Sequence, residues 1–365
     1  MTRLADRLPA FPWDRLAPFG DVARAHPDGI VDLSVGTPVD PVPASVQAAL
    51  AAASNSPGYP LTSGTAELRD AVSEWAARTL HAVVDPATVL PTIGSKELVA
   101  LLPMLLGLGA GDTVVVPELA YPTYDVGARA AGCEIVVADS TSALGPQRVS
   151  LVWINSPSNP TGRVLPVEHL AKVVEWARER GAIVVSDECY FELAWEAQPV
   201  SILDPRVCGG SHEGLLAVHS LSKRSNLAGY RAGFVLGDSA LVGPLLEARK
   251  HLGLMMPAPV QAAALAAIND DAHVTEQRER YSRRRGQLLS ALLDAGFTVE
   301  HSEAGLYLWA SRSESCWDTV SWLAQRGILV APGEFYGVAG AKHVRVALTA
   351  TDERIAAAVH RLASH

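Results

Sequence analysis

The sequence predicts an α/β fold: a large domain with a mainly parallel sheet flanked by helices, plus a smaller α+β domain. Three observations predict it. Short β-branched runs alternate with helical stretches through the middle of the chain. Those runs are continuously apolar rather than alternating, as suits strands covered on both faces. From about residue 272 onward the pattern changes to a long polar helix followed by short strands.

The elements follow in order. Thr113–Val116 is a strand closed by Pro117, and Glu134–Val137 another, entered after Gly132. Further strands are read at 151–154, 182–185, 215–219 and 232–236. Between them, Val167–Arg180 has helical periodicity and stops at Gly181. A polar helix over roughly 272–295 precedes strands at 306–309 and 344–347. Arg283, Arg284 and Arg285, within that helix, read as a solvated face. The Pro-rich N-terminal segment lacks periodicity and is placed with the C-terminal part. The resulting domains are 43–273, large, and 1–42 with 274–365, small.

Composition narrows the function. The 365 residues are 48% hydrophobic and 19% charged, enough apolar content for a sizeable core. The formal net charge of −9 argues against nucleic-acid or anionic-membrane binding. Cys133, Cys189, Cys208 and Cys316 form no CxxC pair, which points to neither a zinc site nor a disulfide framework but to reduced thiols in a cytoplasmic protein. No signal peptide is evident, and the longest apolar stretch, around 98–108, contains Pro103 and is too short to span a bilayer. No metal site is expected.

Four polar segments fall at ends of predicted strands, where open α/β sheets bind ligands. The run 155–162, Asn-Ser-Pro-Ser-Asn-Pro-Thr-Gly, is in itself turn-forming. Asp187, in Ser-Asp-Glu-Cys-Tyr, is costly at a buried strand end unless a cation or hydrogen-bond donor meets it; a helix N-cap is the plainer alternative. A protonated pyridine nitrogen would meet it. Lys223 follows a strand, Ser220 and Ser222, with Arg231 eight residues on. Alone it reads as a surface lysine, but serine and arginine together suit a phosphate. Thr92-Ile93-Gly94-Ser95-Lys96-Glu97 opens an apolar helix whose free N–H groups would also take an anion.

This joint order resembles the class I/II aminotransferases of the fold-type-I pyridoxal-phosphate enzymes, over nearly the whole chain. The resemblance implies pyridoxal 5′-phosphate as cofactor and Lys223 as the Schiff-base lysine that moves the proton in catalysis. It implies that Asp187 pairs with the pyridine nitrogen, that Asn159 and Tyr190 bond the ring's phenolic oxygen, and that Tyr121 stacks on the ring. It puts Ser95, Lys96, Ser220, Ser222 and Arg231 around the phosphate. Tyr59 matches a tyrosine that reaches the other subunit's phosphate, so a homodimer with shared sites is implied. Gly36 matches a backbone contact to substrate, and Arg345 the arginine that holds the substrate α-carboxylate; an edge-strand charge is the plainer reading of Arg345, and core packing that of the two tyrosines.

More narrowly, Phe11-Pro12-Trp13-Asp14 and the segments 28–41, 117–129 and 344–352 are similar to the actinobacterial N-succinyldiaminopimelate aminotransferases. That implies transfer from glutamate to N-succinyl-2-amino-6-ketopimelate, returning 2-oxoglutarate, by ping-pong kinetics in lysine and diaminopimelate biosynthesis. A distal carboxylate would need a second cation, for which Lys96 is the candidate. An aspartate or aromatic aminotransferase and a C–S β-lyase share the same core and are the alternatives. A regulator carrying an aminotransferase-like domain is disfavoured by the acidic balance.

Overall fold

The computed structural model describes residues 3–363. Its strands are β1 (Val31–Asp32), β2 (Val89–Ile93), β3 (Thr113–Val116), β4 (Glu134–Val137), β5 (Leu151–Asn155), β6 (Ile183–Asp187), β7 (Leu215–Ser220), β8 (Ala232–Gly237), β9 (Thr298–Glu300), β10 (Tyr307–Ser311), β11 (Ile328–Leu329), β12 (Ala331–Pro332) and β13 (His343–Ala347). Seven of them form one sheet in the order β2-β8-β7-β6-β5-β3-β4. The run from β7 to β4 is parallel, and β8 is antiparallel to both of its neighbours. β5 and β7 are buried along their whole length and β6 from Val184 onward, which explains their unbroken apolar sequences.

Both edges of this sheet depart from the sequence reading. β2 is a strand that the pattern did not reveal, because Pro91 interrupts it; it is an edge strand paired only with β8, where a missing N–H is tolerated. β4 forms the opposite edge and is not covered on both faces, since Val137 stands 58% exposed.

The second sheet has the order β12-β13-β10-β9, all antiparallel. It packs on the helices Ala272–Asp294 and Asp352–Ala363 through Tyr281, Leu288, Ile355 and Ala358. The N-terminal segment joins this core: Leu16 and Leu33 are buried in it, and β1 pairs in parallel with β11.

Residues 33–41 then cross to the seven-stranded sheet, and one ion cluster pins the crossing. Arg284 donates to both carboxylate oxygens of Asp40 at 2.8 and 2.7 Å, and to Asp352 at 2.6 Å; Gln277 adds a bond to Asp40 at 2.8 Å. The arginine run is therefore not a solvated face. Arg284 is buried, and Arg285 reaches Glu196 and the Ser302 carbonyl; Arg283 alone is exposed. Helical spacing sends neighbouring residues in different directions, so three adjacent arginines cannot share one face. Among the described residues no helix is long and apolar enough to cross a membrane.

Candidate active site

The site forms where the carboxyl ends of β5, β6 and β7 face β10 and β13 of the smaller sheet. Asn155 and Asp187 are register partners on β5 and β6, and Ser220 ends β7 beside them. Asn155 organises the loop after its strand. Its Nδ2 donates to the Asp187 and Pro157 carbonyls at 2.9 and 3.1 Å, and its Oδ1 accepts from the Asn159 N–H at 2.7 Å. The turn-like composition of 155–162 thus serves to fix Asn159 in place.

Asn159 Oδ1 accepts from Arg345 Nη1 at 2.8 Å. An arginine can only donate, so the amide must present its oxygen there and leaves Nδ2 as the donor facing the site. Arg345 is buried, and its Nη2 donates to the Ser34 carbonyl at 2.7 Å. Its Nε is buried with no hydrogen-bond partner, an orphan donor that an anionic ligand would satisfy. The guanidinium lies over the rings of Tyr307 and Tyr336, at 3.9 and 4.8 Å from their centroids.

Asp187 is buried and makes no ion pair among the described residues. Burial pushes its carboxyl above the usual aspartate value, although donors from Cys189 and Tyr124 work in the opposite direction. Tyr124 donates to Oδ2 at 2.8 Å, and its ring is stacked on Trp153 at 4.7 Å. A desolvated carboxylate of this kind gains most from a cationic partner such as a pyridinium N–H. Tyr121 sits one helical turn before Tyr124, edge to face with it at 5.8 Å; burial raises its phenol to about 12.

Lys223 lies in the short helical turn Leu221–Arg224 after β7, and its amine donates to the Gly36 carbonyl. Burial, with Arg345 and Arg231 adding repulsion, lowers its pKa below that of an ordinary lysine. Ser220 caps this turn by accepting from the Ser222 N–H at 3.1 Å, which leaves its hydroxyl proton available.

Arg231 is held in a left-handed conformation (φ +57°), with Nη1 on the Ala228 carbonyl at 2.8 Å. Its guanidinium rests on Gly94, the first residue of the helix Gly94–Leu105; a Cβ there would come within 2.3 Å of Nη2. An arginine, a helix N-terminus with Ser95 and the Ser220/Ser222 pair therefore meet in one cradle with the chemistry of a phosphate site.

The structure thus gathers Lys223, Asp187, Asn159, Tyr190, Tyr121, Gly36 and Arg345, with Ser95, Ser220, Ser222 and Arg231 beside them. Lys96 is on the same first helical turn with its side chain exposed. Tyr59 projects into solvent, 97% exposed. Residues that the sequence reading missed are Tyr124, which lies within a motif already singled out, and Tyr307, whose hydroxyl is 3.1 Å from that of Tyr190. It also missed the buried pair His219–Glu188 behind Asp187, at 3.1 Å.

Known proteins resemble this chain along nearly its whole length. The family model for aminotransferase class I and II matches residues 28–362. A probable aminotransferase of Mycobacterium tuberculosis, Rv1178, is 67% identical over 97% of this chain and 85% of that protein. The 4-dedimethylamino-4-oxo-anhydrotetracycline transaminase OxyQ of Streptomyces rimosus is 61% identical over 97% of this chain and 99% of its own. Among solved structures, the N-succinyldiaminopimelate aminotransferase of Mycobacterium tuberculosis superposes with a TM-score of 0.89, at 26% identity and 99% coverage of both chains.

Proposed function

We propose, from the premise that this chain belongs to the class I and II aminotransferases and depends on pyridoxal phosphate, that it moves an amino group from glutamate to N-succinyl-2-amino-6-ketopimelate. The observation that carries the catalytic part is the convergence of a desolvated lysine, a buried unpaired carboxylate and a buried arginine with an orphan N–H. When bound, the cofactor supplies the carbonyl that accepts the amino group and the electron sink that makes the substrate α-carbon acidic.

The chain's own residues do the rest. Lys223 would hold the cofactor, and its free amine would carry the proton to and from the substrate α-carbon. Its lowered pKa leaves more of the amine in the basic form at neutral pH than an ordinary lysine has. Asp187, aimed by Tyr124 and the Cys189 N–H, keeps a proton on the ring nitrogen. Arg231, Ser95, Ser220 and Ser222 hold the phosphate, and Asn159 and Tyr190 the phenolic oxygen. Tyr121 would cover the ring and exclude water from it. Arg345 takes the α-carboxylate of both the amino donor and the oxo acid that replaces it, so one subsite serves both half-reactions and kinetics are ping-pong. Gly36 offers its backbone to the substrate.

Tyr59, exposed in the single chain, is assigned to the partner's phosphate in a homodimer. Lys96, exposed at the same helix end, is the candidate for the distal carboxylate. The named acceptor is supported by the local sequence likeness and by the structural neighbour of that activity. A second reading has its own support: the relative named as an oxo-anhydrotetracycline transaminase favours a bulky polycyclic ketone as acceptor.

The deciding experiment is an acceptor screen with glutamate as donor, comparing N-succinyl-2-amino-6-ketopimelate, a polycyclic ketone, oxaloacetate, phenylpyruvate and pyruvate. The highest kcat/KM with the first supports the proposal. A preference for any other overturns the substrate and leaves the reaction class in place. Pyruvate released from cystathionine without an acceptor would favour a lyase instead.

A further inference from the structure

Tyr307 lies outside the segments from which the site was read in the sequence, yet it touches three parts of the site. It lies on β10, buried, with its ring beneath the Arg345 guanidinium. Its hydroxyl is 3.1 Å from the Tyr190 hydroxyl, and this is the one hydrogen bond that either phenol makes among the described residues. The same hydroxyl packs against Gly36, where a Cβ would come within 2.2 Å of it. The Gly36 carbonyl in turn accepts from Lys223.

Each phenol has one proton, so the direction of the bond matters. Burial raises Tyr307, but the positive charges of Arg345 and Lys223, together with the Tyr190 hydroxyl beside it, hold this phenol below its ordinary value. Burial leaves Tyr190 well above it. The other titratable neighbours, Cys189, Tyr121, Tyr281 and Tyr336, are all pushed upward by burial and stay neutral. The bond by itself has no set direction, but a Tyr190 that gives its one proton to the cofactor's phenolic oxygen can only accept here, and Tyr307 is then the donor. A hydroxyl that accepts a bond becomes a better donor itself.

We infer that Tyr307 is a positioning residue for this reaction: it donates to Tyr190, which frees the Tyr190 proton for the cofactor's phenolic oxygen, and it underlies the arginine of the α-carboxylate subsite. This rests on the roles given above to Lys223, Tyr190 and Arg345. It also gives Gly36 a second function, since any side chain there would displace the Tyr307 hydroxyl.

The test is a pH titration of the visible absorbance band of the holoenzyme. Tyr307→Phe keeps the ring under Arg345 and removes only the hydroxyl. With the phenolic oxygen less well supported, the protonated chromophore persists to higher pH, and the midpoint rises by about one pH unit. KM for glutamate stays within about twofold, because the ring remains. Tyr190→Phe shifts the midpoint in the same direction, and adding Tyr307→Phe to it produces no further shift. Gly36→Ala, with Tyr307 intact, reproduces the Tyr307→Phe shift and guards against a folding artefact. A Tyr307→Phe shift of equal size in the Tyr190→Phe background overturns the inference, as does an unchanged midpoint in Tyr307→Phe and Gly36→Ala. A holoenzyme without a visible band, or a band that Lys223→Ala leaves intact, overturns the underlying assignment of the lysine and the inference with it.

Discussion

The two halves of the site are built on different rules. On the seven-stranded sheet, functional groups sit at strand ends or just beyond them: Asp187 closes β6, Ser220 closes β7, and Lys223 lies in the turn that follows. On the four-stranded sheet they sit within strands. Arg345 is the third residue of β13, paired with Trp309, and Tyr307 opens β10 opposite Ala347. A parallel sheet covered on both faces has no free face to offer a ligand, so chemistry moves to its edge. An antiparallel sheet with helices on one side can turn the other toward the site, and alternate residues within its strands become available.

In the proposed mechanism the halves also divide the work. The parallel half carries the lysine and the carboxylate, and the antiparallel half carries the arginine. The first should control chemistry and the second binding. Lys223→Ala is expected to cost the most, about four orders of magnitude in kcat, with loss of the visible band on purified protein. Stopped-flow measurement of the half-reaction with glutamate checks it; a residual rate near wild type would mean that the proton is moved by another group.

Arg345→Ala comes next. Removing a buried, doubly hydrogen-bonded cation leaves Asn159 and the Ser34 carbonyl without their donor. We expect kcat/KM to fall about 100- to 1000-fold for donor and acceptor alike, mostly through KM. Arg345→Lys should recover little, because a point charge cannot replace the fork that reaches both Asn159 and a carboxylate. If kcat falls and KM does not, the division between the halves is wrong.

The third prediction concerns the segment that joins the halves. Arg284→Ala strands the Asp40 carboxylate and should lower unfolding free energy by about 3 kcal/mol in urea titration. Arg283→Ala, one residue away on the exposed side, should change it by no more than about 0.5 kcal/mol. Equal losses would mean that the ion cluster is not what holds residues 33–41.

The same contrast explains what the sequence made legible. The parallel half was readable because continuous apolar runs mark its strands and polar motifs must then lie at their ends. Asp187, Asn159 and Lys223 stood out for that reason. β2 was missed because Pro91 reads as a breaker, and only pairing with β8 shows that an edge strand tolerates it. In the antiparallel half, Tyr307 was hidden in an apolar run whose bland reading is core, and Arg345 between two valines reads as an edge charge. Only the facing of one sheet toward the other shows what these two touch. Tyr124 carried a signal, its spacing of three from Tyr121 at a helix start, but its bond to Asp187 spans 63 positions and no local pattern encodes it. The arginine run misled because charge clusters are usually solvated, whereas the partner of Arg284 is 244 residues away at Asp40.

Asp40 supplies the smallest effect and the finest test of the join. Burial alone would raise its carboxyl, yet the bonds from Arg284 and Gln277 outweigh burial and hold it below its ordinary value of 3.8. A carboxyl whose folded value is depressed contributes stability that is fully present above its unfolded value. That contribution is lost as pH falls below 3.8 and through the folded value. Asp40→Asn should therefore be less stable than wild type at neutral pH by about 1–2 kcal/mol. The difference should shrink as the buffer is acidified below 3.8, because wild type then loses the charge that the variant never had. Urea melts of both proteins, stepped downward in pH, read this directly. A difference that stays constant through that range would show that Asp40 holds the crossing segment by packing alone, and that the two halves are joined without its charge.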